Sequence, residues 1–232
     1  MNDLTNQVVL ITGAKGGLGA HVTETFLSTG ATVVGADRKI QDSDFPSQHF
    51  TGMAADLTGT EAARGLAVNV IRRFQRIDAL VHTVGGFAGG QSIAETDDAT
   101  WDTMLTLNLK AAINILRAVI PHMRQAGRGR IIAIGSRQAV DPTANLSAYN
   151  ASKAALVSLI RTAALENKDL AITANAILPS TMNTEANREA MSGADPSKWV
   201  QPERVAALAA FLASEAGAQI SGAAIPVYGQ DV

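Results

Sequence analysis

The sequence has no cysteine, which excludes a disulfide framework and thiolate catalysis. It has few histidines. His21, His49, His82 and His122 form no HExxH or other paired spacing, so no metal site is expected. Charge is sparse at 17% of residues with a formal net charge of -2, so neither a nucleic-acid partner nor a basic tail is indicated. The opening MNDLTNQVVL lacks a basic segment followed by an apolar signal core. No uninterrupted apolar run approaches the roughly 18–20 residues that span a bilayer. By default, a cytoplasmic protein without a membrane segment is expected.

What is present is a chain of 232 residues, 47% apolar, enough to fill the core of one domain over residues 1–232. Strands are expected at Val8–Thr12, Thr32–Ala36, His49–Ala54, Ala79–His82, Arg130–Gly135, Ala171–Ile177 and Ala224–Val227. They lack clean polar alternation, the pattern of strands covered on both faces. Helical patterns lie near 17–29, 60–75, 100–124, 148–167 and 202–214. Alternating β and α segments predict an α/β, three-layer, doubly wound Rossmann-type fold with a mainly parallel sheet. In the helix at 100–124, Leu105, Leu109, Ile113, Leu116 and Ile120 mark one apolar stripe, and Pro121 signals a bend or an ending. The helix at 148–167 carries small and apolar residues on more than one face, which suits both the sheet and a partner subunit. The polar segment Thr184–Trp199 interrupts the rhythm after the sixth strand, where a short substrate loop can sit.

VVLITGAKGGLGAHVTETFL runs strand, glycine turn, helix. Gly13, Gly17 and Gly19 let the backbone approach a pyrophosphate, which the free N–H groups and positive end of the following helix would favour. Lys15 and Leu18 belong to the same turn. It is not a Walker loop, because the GK[ST] ending is missing. Asp37, ending the second strand, can accept both ribose hydroxyls of an adenosine and would repel a 2′-phosphate, favouring NAD over NADP. Lys15 and Arg38 are cations that keep NADP open. Asp56, with the backbone N–H of Leu57, can hold the adenine amino edge, or Asp56 can cap a helix. In VHTVGG, Gly85 lets the chain pass close beneath the ribose, and His82 reads as a packed strand residue.

Ser136 follows the fifth strand, at the end of a parallel sheet where ligands gather. Tyr149 and Lys153 are four apart and share a helix face. A phenol titrates near ~10 in isolation. A nearby ammonium and a positive nicotinamide ring would both favour the phenolate. Tyr149 can then exchange a proton with an alcohol or ketone oxygen that Ser136 holds. Lys153 would also bind the nicotinamide ribose, and Asn108 in TLNLKAA would hold a water that relays protons to it. A lone YxxxK is weak. The ordered set of glycine turn, Asp37, Asn108, Ser136, Tyr149 and Lys153 is not.

TGAKGGLG, AADLT, NLKAA, the serine of IGS, YNASK and LPSTMNT together resemble the short-chain dehydrogenase/reductase family along nearly the whole chain. The resemblance implies a seven-stranded parallel sheet, a homotetramer or homodimer, and a catalytic tetrad of Asn108, Ser136, Tyr149 and Lys153. It implies that Thr12 shapes the glycine turn, that Thr184 holds the nicotinamide carboxamide, and that Pro179 leads the loop past the ring. Two stretches depart from the family pattern. Asn-Asn-Ala-Gly is replaced by His82-Thr83-Val84-Gly85, and Pro-Gly by Pro179-Ser180.

The expected activity is hydride transfer between nicotinamide C4 and a secondary alcohol or ketone carbon of a small molecule. A 3-oxoacyl-thioester reductase, a sugar or polyol dehydrogenase, a pteridine-type reductase and a catalytically silent nucleotide-binding regulator are the alternatives. Arg137 and Gln138 are placed to shape the substrate site. A serine hydrolase is disfavoured, because Ser136 lacks the G-x-S-x-G elbow.

Overall fold

A computed structural model describes residues 3–230. Seven strands form one parallel sheet in the order β3-β2-β1-β4-β5-β6-β7. They are β1 (Val8–Thr12), β2 (Thr32–Asp37), β3 (Phe50–Ala54), β4 (Ala79–His82), β5 (Arg128–Ile134), β6 (Ala171–Pro179) and β7 (Ala224–Val227). The sheet is buried on both faces. Val8 and Leu10 of β1 point into one apolar layer with Leu66, Ile115 and Leu156, while Val9 and Ile11 point into the other with Phe26, Val205 and Leu212. Helices α2 (Thr60–Phe74), α4 (Ala111–Ala126) and α5 (Ser147–Glu166) cover the first layer, and α1 (Gly19–Ser28) and α7 (Pro202–Ala213) the second. The strand order reverses between β1 and β4, so a crevice opens at their carboxyl ends.

The long helix departs from its sequence reading. It is continuous from α3 (Asp98–Leu105) through a π-helical turn at Thr106–Lys110 into α4. The extra residue of that turn shifts the helical phase. The face of α4 that meets the sheet is therefore Ala112, Ile115, Val119 and Met123, each fully buried, with Leu116 nearly so. Of the predicted stripe only Leu116 is buried, while Leu105 is exposed. Ile113, Leu116 and Ile120 instead line a groove with Leu159 of α5. Pro121 neither bends the helix to a stop nor ends it: α4 continues to Ala126, where Gly127 at φ 68 caps it. Continued burial of Val119 and Met123 outweighs the roughly 3 kcal/mol cost of an internal proline. The helix from Asp98 to Ala126 is long and apolar enough to cross a membrane by length and composition, although polar residues interrupt its apolar runs. Its inner face is packed on the sheet, as in the core helix of a globular protein. The segment after Thr184 also holds more structure than the expected loop, namely α6 (Glu185–Ala190) and a 3₁₀ turn at Pro196–Lys198.

Candidate active site

The glycine turn leaves β1 at the crevice. Gly13 adopts φ 75, and a Cβ there would lie 2.7 Å from Thr83 Oγ1. A Cβ on Gly19 would collide with the Gly13 carbonyl oxygen, so the turn closes only with glycine at both positions. Thr83 braces it by donating through Oγ1 to the Thr12 carbonyl at 2.8 Å. This departure from the family pattern therefore keeps a polar tie in place. Leu18 is buried and precedes α1, while Lys15 and Gly17 face solvent. Thr184 packs over Gly17, with its Cβ 3.2 Å from where a Gly17 Cβ would sit. The smooth exposed backbone beside a helix start fits a pyrophosphate.

Asp37 ends β2 beside this turn, and its carboxylate accepts the N–H of Arg38 at 2.7 Å and of Lys15 at 3.3 Å. The Lys15 ammonium is paired with Asp44 at 2.8 Å. Arg38 is exposed and helps to hold the Asp56 carboxyl below its usual range, a shift due first to the Thr58 hydroxyl. Asp56 does not cap α2, whose N-cap is Gly59. It accepts from the Thr58 N–H and hydroxyl at 3.0 and 2.7 Å in a tight turn that leaves Leu57 buried.

Asn108 lies in the π turn and is fully buried. Its amide accepts the Gly86 N–H at 2.9 Å, and donates to the Gly86 carbonyl at 3.1 Å and to Ser152 Oγ at 3.0 Å. The turn after β4 is thereby tied to α5. Gly85 sits against two of the predicted site residues: a Cβ there would be 2.8 Å from Asn108 Oδ1 and 3.2 Å from Lys153 Nζ. Lys153 is buried, and its ammonium donates to the Ile134 carbonyl at 3.0 Å. Burial pulls its pKa from 10.5 to about 8. Ser136 follows β5, buried, and its hydroxyl donates to Gln138 Oε1 at 2.5 Å.

Tyr149 stands in the first turn of α5. Burial raises its pKa, and a hydrogen bond with Ser136 only partly opposes this. The Lys153 ammonium lies 6.0 Å from the phenol ring centroid. In the protein alone desolvation wins; the acidification expected from the sequence rests on the ammonium and the nicotinamide ring together. His82 is packed as expected, with Nδ1 2.8 Å from Thr12 Oγ1 and Nε2 without a partner among the described residues. Burial first, then the Lys153 charge, lowers its pKa to about 3, so the ring is neutral.

Pro179 ends β6, buried, and Thr184 caps α6 by accepting the Asn187 N–H at 3.3 Å. The sequence missed two neighbours. Phe87 meets the Tyr149 ring edge-on at 5.0 Å while 69% exposed, and Ser152 anchors Asn108. Ser152 lies inside YNASK, three residues after Tyr149, but its partner is visible only in three dimensions. Arg137 stacks on Tyr228 at 5.0 Å and pairs with Asp141 at 2.9 Å.

A parallel sheet with a glycine turn after β1 and a Ser, Tyr and Lys group at the adjoining strand ends defines a dinucleotide-dependent oxidoreductase. The short chain dehydrogenase family profile matches residues 7–195. The short-chain dehydrogenase/reductase olcF of Penicillium canescens is 32% identical over 98% of this chain and 97% of its own. The crystal structure of gox2181 superposes with a TM-score of 0.91 at 27% identity, over 99% of this chain and 96% of its own. A 3-ketoacyl-(acyl-carrier-protein) reductase from Brucella melitensis, complexed with NADH, gives 0.89 at 26%, over 99% and 100%. The chain belongs to the short-chain dehydrogenase/reductase family. Its activity is that of an NAD(P)-dependent oxidoreductase.

Proposed function

We propose that the protein interconverts a secondary alcohol and a ketone, prefers NAD, and uses Tyr149 as the acid and base. The convergence of Asn108, Lys153 and Gly85, with Tyr149 bonded to Ser136, beside the glycine turn carries this reading. When bound, the nicotinamide supplies or accepts the hydride. The backbone of Gly13–Gly19 receives the pyrophosphate. Asp37 takes the adenosine ribose hydroxyls on its remaining lone pairs. Lys15 is already paired with Asp44, and the Asp37 carboxylate would repel a 2′-phosphate, which supports NAD; exposed Arg38 is the cation that NADP would have to use.

Lys153 spends one ammonium proton on Ile134, keeping two for ribose hydroxyls. Tyr149 stays a phenol in the free protein, ready to donate to a ketone oxygen. In the alcohol direction, positive charge brought in beside it offsets its desolvation and favours the phenolate. The substrate oxygen replaces Gln138 as acceptor of the Ser136 proton. Asn108 fixes the Gly85–Gly86 turn at the far side of Lys153 and stands at the start of a proton path to it. Leu57 and Asp56 border the adenine, while Pro179 and Thr184 border the nicotinamide.

Among the described residues, four of the eight exposed large hydrophobic ones, Phe87, Ile93, Val140 and Met191, lie on the segments that follow β4, β5 and β6. Such a rim favours an apolar carbonyl substrate over a sugar. A second copy of the chain covers the apolar groove between α4 and α5, making a homodimer or homotetramer.

The test is NADH and NADPH oxidation with a panel of apolar ketones and sugars. Tyr149→Phe should lower turnover by about 10²–10⁴-fold, the usual worth of a general acid, with NADH affinity kept. Full turnover in Tyr149→Phe, or a sugar as the best substrate, would refute the corresponding part.

A further inference from the structure

At the opposite end of the sheet from the crevice, the amino ends of β4 and β5 carry an unusual concentration of guanidinium groups. Arg76, Arg128 and Arg130 line a cavity of ≈ 90 Å³ with Asp78 and Glu215. Asp78 is already engaged: it accepts from Arg76 at 2.6 Å and from the Val8 N–H at 2.8 Å, with Arg128 at 3.4 Å. Glu215 is 94% exposed and reaches Arg130 only at 3.5 Å. The Arg130 side chain is only 13% exposed, and its closest contacts are the neutral carbonyls of Ala171 at 3.0 Å and Gly129 at 3.3 Å.

Three cations thus face two carboxylates, one of them loosely held. Moreover, the Nε–H groups of Arg76 and Arg130 are buried with no hydrogen-bond partner among the described residues. A buried charged donor without an acceptor is costly, and guanidinium groups match oxyanions in geometry as well as charge.

We infer that this cavity is a binding site for a small oxyanion, inorganic phosphate or the phosphate group of a small metabolite. Its volume is well below the ~300–1,000 Å³ of pockets that enclose whole organic ligands, so only the anionic group enters. The site is independent of the dinucleotide crevice. Binding there holds together the segments before β4 and β5 and the turn after α7, so an oxyanion stabilises the fold by linkage.

Phosphate titrated into the cofactor-free protein, followed by thermal unfolding and calorimetry at constant ionic strength, tests this. Saturable stabilisation by phosphate and sulfate, absent with chloride, is expected. Saturating NAD should not displace it, which separates this site from the pyrophosphate cradle. Arg76→Gln, at the cavity rim, should raise the half-saturating phosphate concentration by about tenfold, the effect of one lost charge-assisted hydrogen bond. Arg130→Lys, which keeps the charge and removes Nε, should weaken it similarly. If phosphate acts no differently from chloride, or if Arg76→Gln binds phosphate as wild type does, the charges form a closed structural network and the inference fails. Organophosphates of increasing size then separate a free ion from a metabolite: tighter binding than inorganic phosphate indicates a metabolite, and equal or weaker binding the ion.

Discussion

Two buried bases at the proposed site, Lys153 and His82, make stability depend on pH. Lys153 has a folded pKa of about 8 against 10.5 when free. Below pH 8 the fold must bury its charge, and the folded state binds fewer protons than the unfolded one as pH rises from about 8 to about 10. Stability therefore increases through that window. At pH 7 the buried charge costs about 3 kcal/mol, partly offset by the hydrogen bond to Ile134. Lys153→Met is expected to raise unfolding free energy at pH 7 by about 1–2 kcal/mol in urea while removing turnover. Destabilisation would contradict this account of the site. His82 has its folded pKa depressed to about 3 from 6.5, so its contribution is present above pH 6.5 and is lost as pH falls. A loss of about 2–3 kcal/mol between pH 6.5 and 4.5 follows, and His82→Asn should flatten that slope. The residues proposed for the site could be named from spacing and family resemblance, and the structure brings Gly85, Asn108 and Lys153 together. The Tyr149 ionisation balance was not, because it depends on burial that no spacing encodes.

At the scale of elements, all seven strands were readable to within two residues, since β-branched runs bounded by glycine turns announce them. The long helix was misread for a specific reason. A period of 3.6 assumes an unbroken α-helix, and the π turn at Thr106–Lys110 inserts one residue that changes the inward face. The same turn buries Asn108 and lets its amide hold the chain at Gly86. Ile113 and Ile120, two residues of the expected apolar stripe, consequently line the outward groove with Leu159. Arg117 and Arg124 flank it on α4 and Glu166 on α5, a charge pattern that a two-fold related copy can match. Ile120→Glu should reduce the solution mass to that of a monomer, measured by light scattering at micromolar concentration, with the secondary structure retained. A wild-type protein that is already monomeric there would remove the second copy from the account.

For the whole molecule, the sheet order places every element of the site at one end. β1 and β4 are neighbours in space though 70 residues apart, as the Thr12–His82 contact shows. Their carboxyl ends deliver the glycine turn and Gly85, while β5 and α5 deliver Ser136, Tyr149 and Lys153. This convergence follows from the doubly wound topology and was legible once that topology was recognised. The groove between α4 and α5 and the arginine cavity at the far end were not, because each joins segments distant in sequence. The most direct measurement of the redox assignment uses NADH carrying deuterium at both C4 positions with an apolar ketone substrate. The product alcohol is predicted to carry the deuterium on its carbinol carbon, and Tyr149→Phe should bind the labelled cofactor but transfer little. Deuterium lost to water, or no carbonyl that consumes the cofactor, would contradict hydride transfer at this site.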